Sequence, residues 1–242
     1  MKKELTRRDI LKVAGIGGVS LALAPMLRLD NANAAVAEPK KWNKTADVIV
    51  VGGGLAGLTA SLSAKKEKVS VILLEKAPAV GGSTVVSGGL LSVGPTSDQK
   101  AQGIEDSADN IYNDLMKNNS EDPRMLEPEI IRAYADNCGP VYEWLKGMGG
   151  IKLIIPQVGT LGGYDTTRRM MTLDVVKTVA ALKENLDKQG IPVVTSSHVQ
   201  QLVTNKEGKV SGVCAEENGR KVYYKANKGV ILTTGCLTAS PE

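Results

Sequence analysis

Gly52, Gly54 and Gly57 stand two and three residues apart, directly after the β-branched run Val48 to Val51 and ahead of "LTASLSAKK". A strand that runs into G-x-G-x-x-G and then into a helix has the parts of a dinucleotide grip. Gly52 permits the tight turn, Gly54 lets a pyrophosphate approach the backbone, and Gly57 lets helix and strand pack closely. The first N–H groups of such a helix lack partners within it, and its positive end faces the phosphates. Glu75 follows Gly57 by 18 residues and closes the next apolar run, "KVSVILLEK". A carboxylate there accepts hydrogen bonds from an adenosine ribose hydroxyl and disfavours a 2′-phosphate, and so NADP. Glu75 and Lys76 would also suit a bare surface ion pair; the spacing favours the ribose role. To this point NAD and FAD fit equally. The loop "APAVGGSTVVSGG" separates them, since Gly81-Gly82-Ser83-Thr84 and Ser87-Gly88-Gly89 add two small-residue turns that would enclose a longer cofactor.

The elements that must position these residues follow from periodicity. Val48 to Val51 reads as a strand buried on both faces of a parallel sheet. Ile104, Ala108, Ile111 and Leu115 recur at helical spacing over 104–117. Ile131, Tyr134, Cys138, Val141 and Leu145 repeat that spacing, with Gly139 and Pro140 expected to kink or break the helix and Cys138 expected in the core. A further helix is expected from Leu173 to Lys188, capped by Thr172 and stopped by Gly190. Short strands then follow in "IPVVTS", "VQQLVTN", "KVSGVCAEE" and "KVYYKAN", and "GVILTT" returns as a buried strand ending at Gly235.

Composition narrows the function. Six Tyr, two Trp and no Phe argue against a reader that stacks bases on aromatics. The net charge of +4 is concentrated at the front: without residues 1–34 the chain carries 24 basic and 23 acidic residues. A near-neutral body has no field to hold a polyanion, so nucleic acid is not an expected partner. "LTRRDILK", the short apolar run after it and "NANAAVA" have the order of a cleaved secretory signal. Arg7 and Arg8 suit a twin-arginine signal, with a cut after Ala34 and the Tat translocon as partner during export. The alternative, an uncleaved anchor, is disfavoured because the run falls short of the ~20 residues that span a bilayer. The expected place is periplasmic or otherwise extracytoplasmic. The expected organisation is a signal over 1–34, a linker over 35–44 and a cofactor-binding domain over 45–242. Three cysteines at these spacings match neither a zinc nor a haem motif, and one histidine builds no metal site, so no metal is expected.

Asp47 to Gly89, with "ADNCGPVYEWLKGMGG", "TLDVVKTVAALKENLDKQGIPVVTSSHVQQLV" and "ANKGVILTTG", resembles the flavoprotein subunit of the fumarate reductase and succinate dehydrogenase family, within the FAD-dependent oxidoreductase 2 group. The soluble fumarate-reductase-like and urocanate-reductase-like members are nearest. The resemblance covers nearly all of the chain beyond residue 34. It implies an α/β fold: a Rossmann-like FAD-binding domain with a parallel central sheet plus an antiparallel β-meander. It implies FAD contacts at Ala56 and Glu75, at Ser83 and Thr84 beside the pyrophosphate and ribityl chain, and at Ser87, Gly88 and Gly89 near the isoalloxazine. Val199 would meet the adenine through its backbone, and Thr234 with Gly235 would close over the phosphates. Gly82 and Lys76 belong to the same expected set. The 81–89 loop has no histidine, whereas membrane-bound relatives attach flavin through one there; non-covalent FAD is implied.

The resemblance also implies an activity, in which reduced flavin passes a hydride to an activated C=C bond of a small carboxylate. The family's proton donor and substrate clamps lie in a cap domain and a return segment, both beyond the position matching Gly235. No residue here is therefore expected to be catalytic, and the chain is expected to be an N-terminal part lacking the C-terminal cap domain. A C-terminal companion chain and a separate electron-donor protein are the expected partners. Two other readings stay open: a non-catalytic FAD-binding module, and a 3-ketosteroid-dehydrogenase-like fragment. Arg168 and Arg169 read either as neighbours of an anionic substrate or as surface arginines. His198 reads as a packed or exposed loop residue. Cys236 stands where the family usually has glycine.

Overall fold

Alternation along two short strands organises the core. The computed structural model describes residues 35–118, 127–159 and 167–235. Strand β1 is Ala35–Ala37, β2 is Lys44–Val51 and β3 is Val71–Leu74, with helix α1 (Leu55–Lys66) between the last two. Val50, Val71 and Leu73 point to one face of the sheet, Ile49, Val51, Ile72 and Leu74 to the other, and all seven are buried. Sheets buried on both faces are what continuous aliphatic runs produce.

Strand β4 (Leu90–Ser92), the short helix α2 (Ser97–Ala101), α3 (Ala108–Asn118), α4 (Pro128–Gly147), β5 (Leu153–Gly159) and β6 (Met170–Leu173) form a side lobe. Helix α5 (Val175–Lys188), β7 (Val193–Val194), β8 (His198–Thr204), β9 (Val210–Glu217) and β10 (Arg220–Leu232) complete the described chain. The main sheet has the order β1-β8-β9-β10-β2-β3-β7, and β4-β6-β5 form a small antiparallel sheet. Strands β10, β2, β3 and β7 are mutually parallel, while β8, β9 and the first half of β10 run as an antiparallel meander. Helices α1 and α5 cover one face through Leu58, Leu62, Val179, Leu182 and Leu186. Val213, Ala215, Tyr224 and Ala226 of the meander cover the other.

Several expectations change. Gly139 and Pro140 do not break α4, which is continuous through Pro140. A Cβ on Gly139 would lie 2.5 Å from the Pro95 carbonyl oxygen, so that glycine serves close packing against residues 94–95. Proline inside a helix costs about 3 kcal/mol, and burial of Ala135, Cys138, Tyr142 and Leu145 on the same helix offsets it. The helix expected from 104 begins at Ala108. Thr172 and Leu173 are strand residues paired with Leu90 and Leu153. The cap of α5 is Asp174, whose side chain accepts from the Lys177 N–H at 3.0 Å. Gly190 stops that helix at φ +65°. Val193–Val194 extend the parallel sheet beside β3. "KVYYKAN" and "GVIL" are one strand, β10, with an irregularity between Ala226 and Gly229 where it passes from the meander into the parallel sheet. Its end is not buried: Leu232 is 56% exposed. Within the stretch expected as a linker, β1 pairs with β8 and Trp42 packs over Gly212. No helix among the described residues is long and apolar enough to cross a membrane. The expected signal, residues 1–34, and Cys236 lie outside the described residues.

Candidate functional site

The chain leaves β2 through Gly52 at φ +107°, in a region that L side chains rarely adopt. A Cβ there would meet the Thr233 carbonyl oxygen at 2.4 Å, and one on Gly57 would meet the Gly52 carbonyl oxygen at 1.8 Å. Turn, helix and β10 are thus packed backbone to backbone. Thr233 secures that packing: its N–H and its hydroxyl both donate to the Val51 carbonyl at 2.8 Å, and the hydroxyl also reaches the Gly52 carbonyl.

Gly54 differs. Its φ is ordinary, and among the described residues beyond its chain neighbours a Cβ on it would come no closer than 3.6 Å to any atom. No protein group demands glycine there, which leaves the space above it for something else. Gly54 is the N-cap of α1, gives no side-chain cap, and no acidic residue stands in the first turn. The helix's positive end is therefore not neutralised by its own residues. The Leu55 N–H donates to the Thr84 hydroxyl oxygen at 3.0 Å. That bond orients the hydroxyl so that its proton is free to donate outward.

Glu75 directly follows β3 beside this turn and is only 6% exposed. Its carboxylate accepts from the Gly53 N–H at 2.6 Å and the Ala77 N–H at 2.7 Å. A carboxylate offers about four acceptor positions, so two bonds leave capacity for ligand hydroxyls. Lys76 next to it is exposed, and among the described residues it forms no ion pair with Glu75. Gly82, Ser83 and Thr84 form a tight 3₁₀ turn laid against the glycine turn, joined by the Gly81 N–H to the Gly53 carbonyl at 2.8 Å.

These segments enclose a cleft of about 410 Å³, within the usual range for small-molecule sites of about 300–1,000 Å³. Gly52, Gly54 and Ala56 form its floor, and Glu75 and Lys76 one wall. Gly82, Ser83 and Thr84 form a second wall, Val199 with Ser197 and His198 a third, and Thr234 and Gly235 close the end of β10. Gly57 lies behind the floor as the packing residue. Ser87, Gly88 and Gly89 are not walls of this cleft. The Ser87 hydroxyl donates to the Thr84 carbonyl, and Gly89 (φ +69°) is pressed against the Leu173 carbonyl. A larger, mostly apolar cavity of about 790 Å³ lies between α1 and α4 and shares Leu55, Ala56 and Thr84 with the cleft.

The two arginines separate. Arg168 is exposed, and its carbonyl accepts from the Gln99 amide. Arg169 is 1% exposed and holds Asp106 with two bonds (2.7 and 2.9 Å) and Asp114 with one (2.6 Å). It is neither a surface residue nor free to clamp a substrate; it ties β6 to α3 and to the loop before it. Burial opposes its charge, but the bonds to the two aspartates outweigh that and hold the guanidinium above its ordinary pKa. Among the described residues no cluster of His, Cys, Asp and Glu suits a metal. Cys138 is buried as expected, and Cys214 is buried too. Sequence reasoning missed Thr233, whose signal was the threonine doublet, and Ser197, Glu217 and Tyr224, which carried no local signal.

The sequence model of the "FAD binding domain" family matches residues 47–240. The chain belongs to the FAD binding domain family. Its cofactor is FAD, and the floor of the cleft offers what a pyrophosphate needs: open space at Gly54 and a helix end with no acidic residue in its first turn. The chain is 29% identical to an NADH:fumarate oxidoreductase of Klebsiella pneumoniae (strain 342), over 81% of this chain and 21% of that protein. Among solved structures, the open conformation of a flavocytochrome c3 fumarate reductase superposes with a TM-score of 0.72 at 28% identity, over 80% of this chain and 34% of that one. A 3-ketosteroid-Δ4-(5α)-dehydrogenase from Rhodococcus jostii RHA1, in complex with 4-androstene-3,17-dione, gives 0.71 at 27% identity, over 81% of this chain and 47% of that one. The chain spans less than half the length of each of these proteins.

Proposed function

We propose that this chain is the FAD-holding part of an exported flavin-dependent reductase acting on the activated C=C bond of a small carboxylate. The observation that carries the cofactor placement is the open space over Gly54 at the N-terminal end of α1, whose first turn holds no acidic residue, beside the buried Glu75 carboxylate. In this reading Gly52, Gly54, Ala56 and Gly57 take the pyrophosphate at the helix end, where backbone N–H groups and the helix dipole favour anions. Ser83 and Thr84 donate hydroxyl protons along the pyrophosphate and ribityl chain. Glu75 accepts from the ribose, with Lys76 and Gly82 flanking. Val199 borders the adenine, Thr234 and Gly235 close over the phosphates, and Ser87, Gly88 and Gly89 lie toward the isoalloxazine. FAD so held, non-covalently, would supply the hydride.

The likeness to fumarate reductases supports the carboxylate substrate, and the twin arginines at 7 and 8 support export and extracytoplasmic work. The near-equal likeness to the ketosteroid dehydrogenase favours one second reading, in which the oxidised flavin takes a hydride from a saturated 3-ketosteroid and leaves the enone. The test uses the native flavoprotein that contains this chain, captured from its source cells and reduced anaerobically. Reoxidation of its flavin by fumarate or a similar unsaturated carboxylate is expected. Bleaching of the oxidised flavin by a saturated 3-ketosteroid, with no reoxidation by an unsaturated carboxylate, would replace the first reading with the second, and neither response would sink both.

A further inference from the structure

We infer that Glu217 is a positioning residue for the adenosine end of the cleft, acting through Ser197. The wall is formed by Ser197 and by His198 and Val199, the first two residues of β8, and the bend that leads into it from β7 is held in an unfavourable shape. Ser196 sits at φ +52°, a left-handed conformation rarely adopted by a residue with a side chain. Such conformations persist only when the surroundings over-determine them, and here three contacts do so. The Ser196 N–H donates to the Ala77 carbonyl and the Ser197 N–H to the Glu75 carbonyl, both at 2.9 Å. The Ser197 hydroxyl donates to Glu217 Oε1 at 2.7 Å.

The third contact comes from outside the cleft, and its holder is itself held. Glu217 ends β9, and the same Oε1 accepts from the Tyr224 hydroxyl of β10. Ser197 and Tyr224 are 1% and 0% exposed. Burial, with the carboxylate beside it, pushes the Tyr224 phenol above its ordinary pKa, which keeps it a donor. A carboxylate only accepts, so both hydroxyl protons are directed at one oxygen and neither rotor is free. The meander thereby fixes the bend, and through the Ser197 N–H it fixes the backbone of Glu75, whose side chain forms the facing wall. Glu217 needs no contact with the cofactor to set the spacing between the two walls.

This inference rests on the proposal that the 197–199 wall and Glu75 border the adenosine of FAD. It is tested on the whole chain with ADP and FAD as probes, by calorimetric titration at a temperature where circular dichroism shows every variant folded. Glu217→Leu removes the acceptor and is expected to weaken ADP and FAD by the same factor, about tenfold or more, the worth of one or two hydrogen bonds to a charged group. Glu217→Gln keeps an acceptor oxygen and is expected to bind within about threefold of wild type. Should Glu217→Leu fail to fold, Ser197→Ala removes the other end of the same contact and is expected to weaken ADP by about three- to tenfold. A merely structural role would lower the melting temperature and leave ADP affinity in the folded protein unchanged; that result overturns the inference. Equal losses in Glu217→Gln and Glu217→Leu overturn it too. A wild-type chain that binds neither ADP nor FAD would instead refute the placement of the cofactor, and this inference with it.

Discussion

Replacing Glu75 with alanine separates two roles that one carboxylate performs. In the protein alone it accepts from the Gly53 and Ala77 N–H groups at 2.6 and 2.7 Å while 6% exposed. Hydrogen bonds to a charged group are worth about 1.5–3 kcal/mol each, and the N–H groups freed in an open cleft regain some water, so a loss of about 2–4 kcal/mol is expected. In a domain of this size that lowers the melting temperature by about 4–16 °C. The FAD-free protein reports this part, by thermal unfolding followed by circular dichroism. Flavin titration reports the other part: loss of the ribose acceptor is expected to weaken FAD by about tenfold or more. Glu75→Gln should fall between wild type and alanine, because its amide keeps one acceptor but turns a donor toward a second N–H. An alanine variant that melts with the wild type and binds FAD equally well would refute the reasoning.

Gly54 and Gly57 make a contrasting pair. Gly57→Ala places a Cβ 1.8 Å from the Gly52 carbonyl and should unfold the domain or strongly destabilise it, whereas Gly54→Ala meets nothing within 3.6 Å and should melt like wild type while losing FAD; scanning calorimetry with flavin titration distinguishes them. Arg169→Met removes the guanidinium that bridges the buried Asp106 and Asp114 and should cost about 3–5 kcal/mol in chemical denaturation. At Asp98, burial pushes the carboxyl pKa up, but the Lys146 and Tyr142 hydrogen bonds outweigh it and leave the pKa below the ordinary value. A depressed folded-state pKa gives stability that is present above the unfolded value of about 3.9 and lost as pH falls through the folded one. Asp98→Asn should therefore be less stable than wild type at neutral pH, with the gap closing below about pH 4. Acid precipitation of the FAD-loaded chain should leave all flavin in the supernatant; flavin that stays with the denatured chain contradicts the non-covalent proposal.

What could be read from the sequence was the part in which chemistry is local. The glycine spacing and the β-branched run before it act within a few residues of one another, the carboxylate closes the very next apolar run at a fixed spacing, and the structure gathers Gly52, Gly54 and Glu75 on one cleft. The elements misread were those decided by distant contacts. Pro140 argued for a helix break, but Gly139 beside it is committed to the carbonyls of residues 94 and 95. Thr172 had the chemistry of a cap, but pairing with Leu90 claimed it for a strand and left the cap to Asp174. Arg169 was read from its neighbours alone, and its two aspartates come from 55 and 63 residues away. Ser197, Glu217 and Tyr224 meet only once the meander has folded.

The most direct test of the central claim is a fluorescence titration of the chain with FAD, followed by displacement with ADP. The account predicts saturable quenching at one flavin per chain, competed by ADP and lost in Gly54→Ala without loss of folding. Flavin binding that ADP does not displace, or that survives in Gly54→Ala, would contradict a cofactor seated at the end of α1.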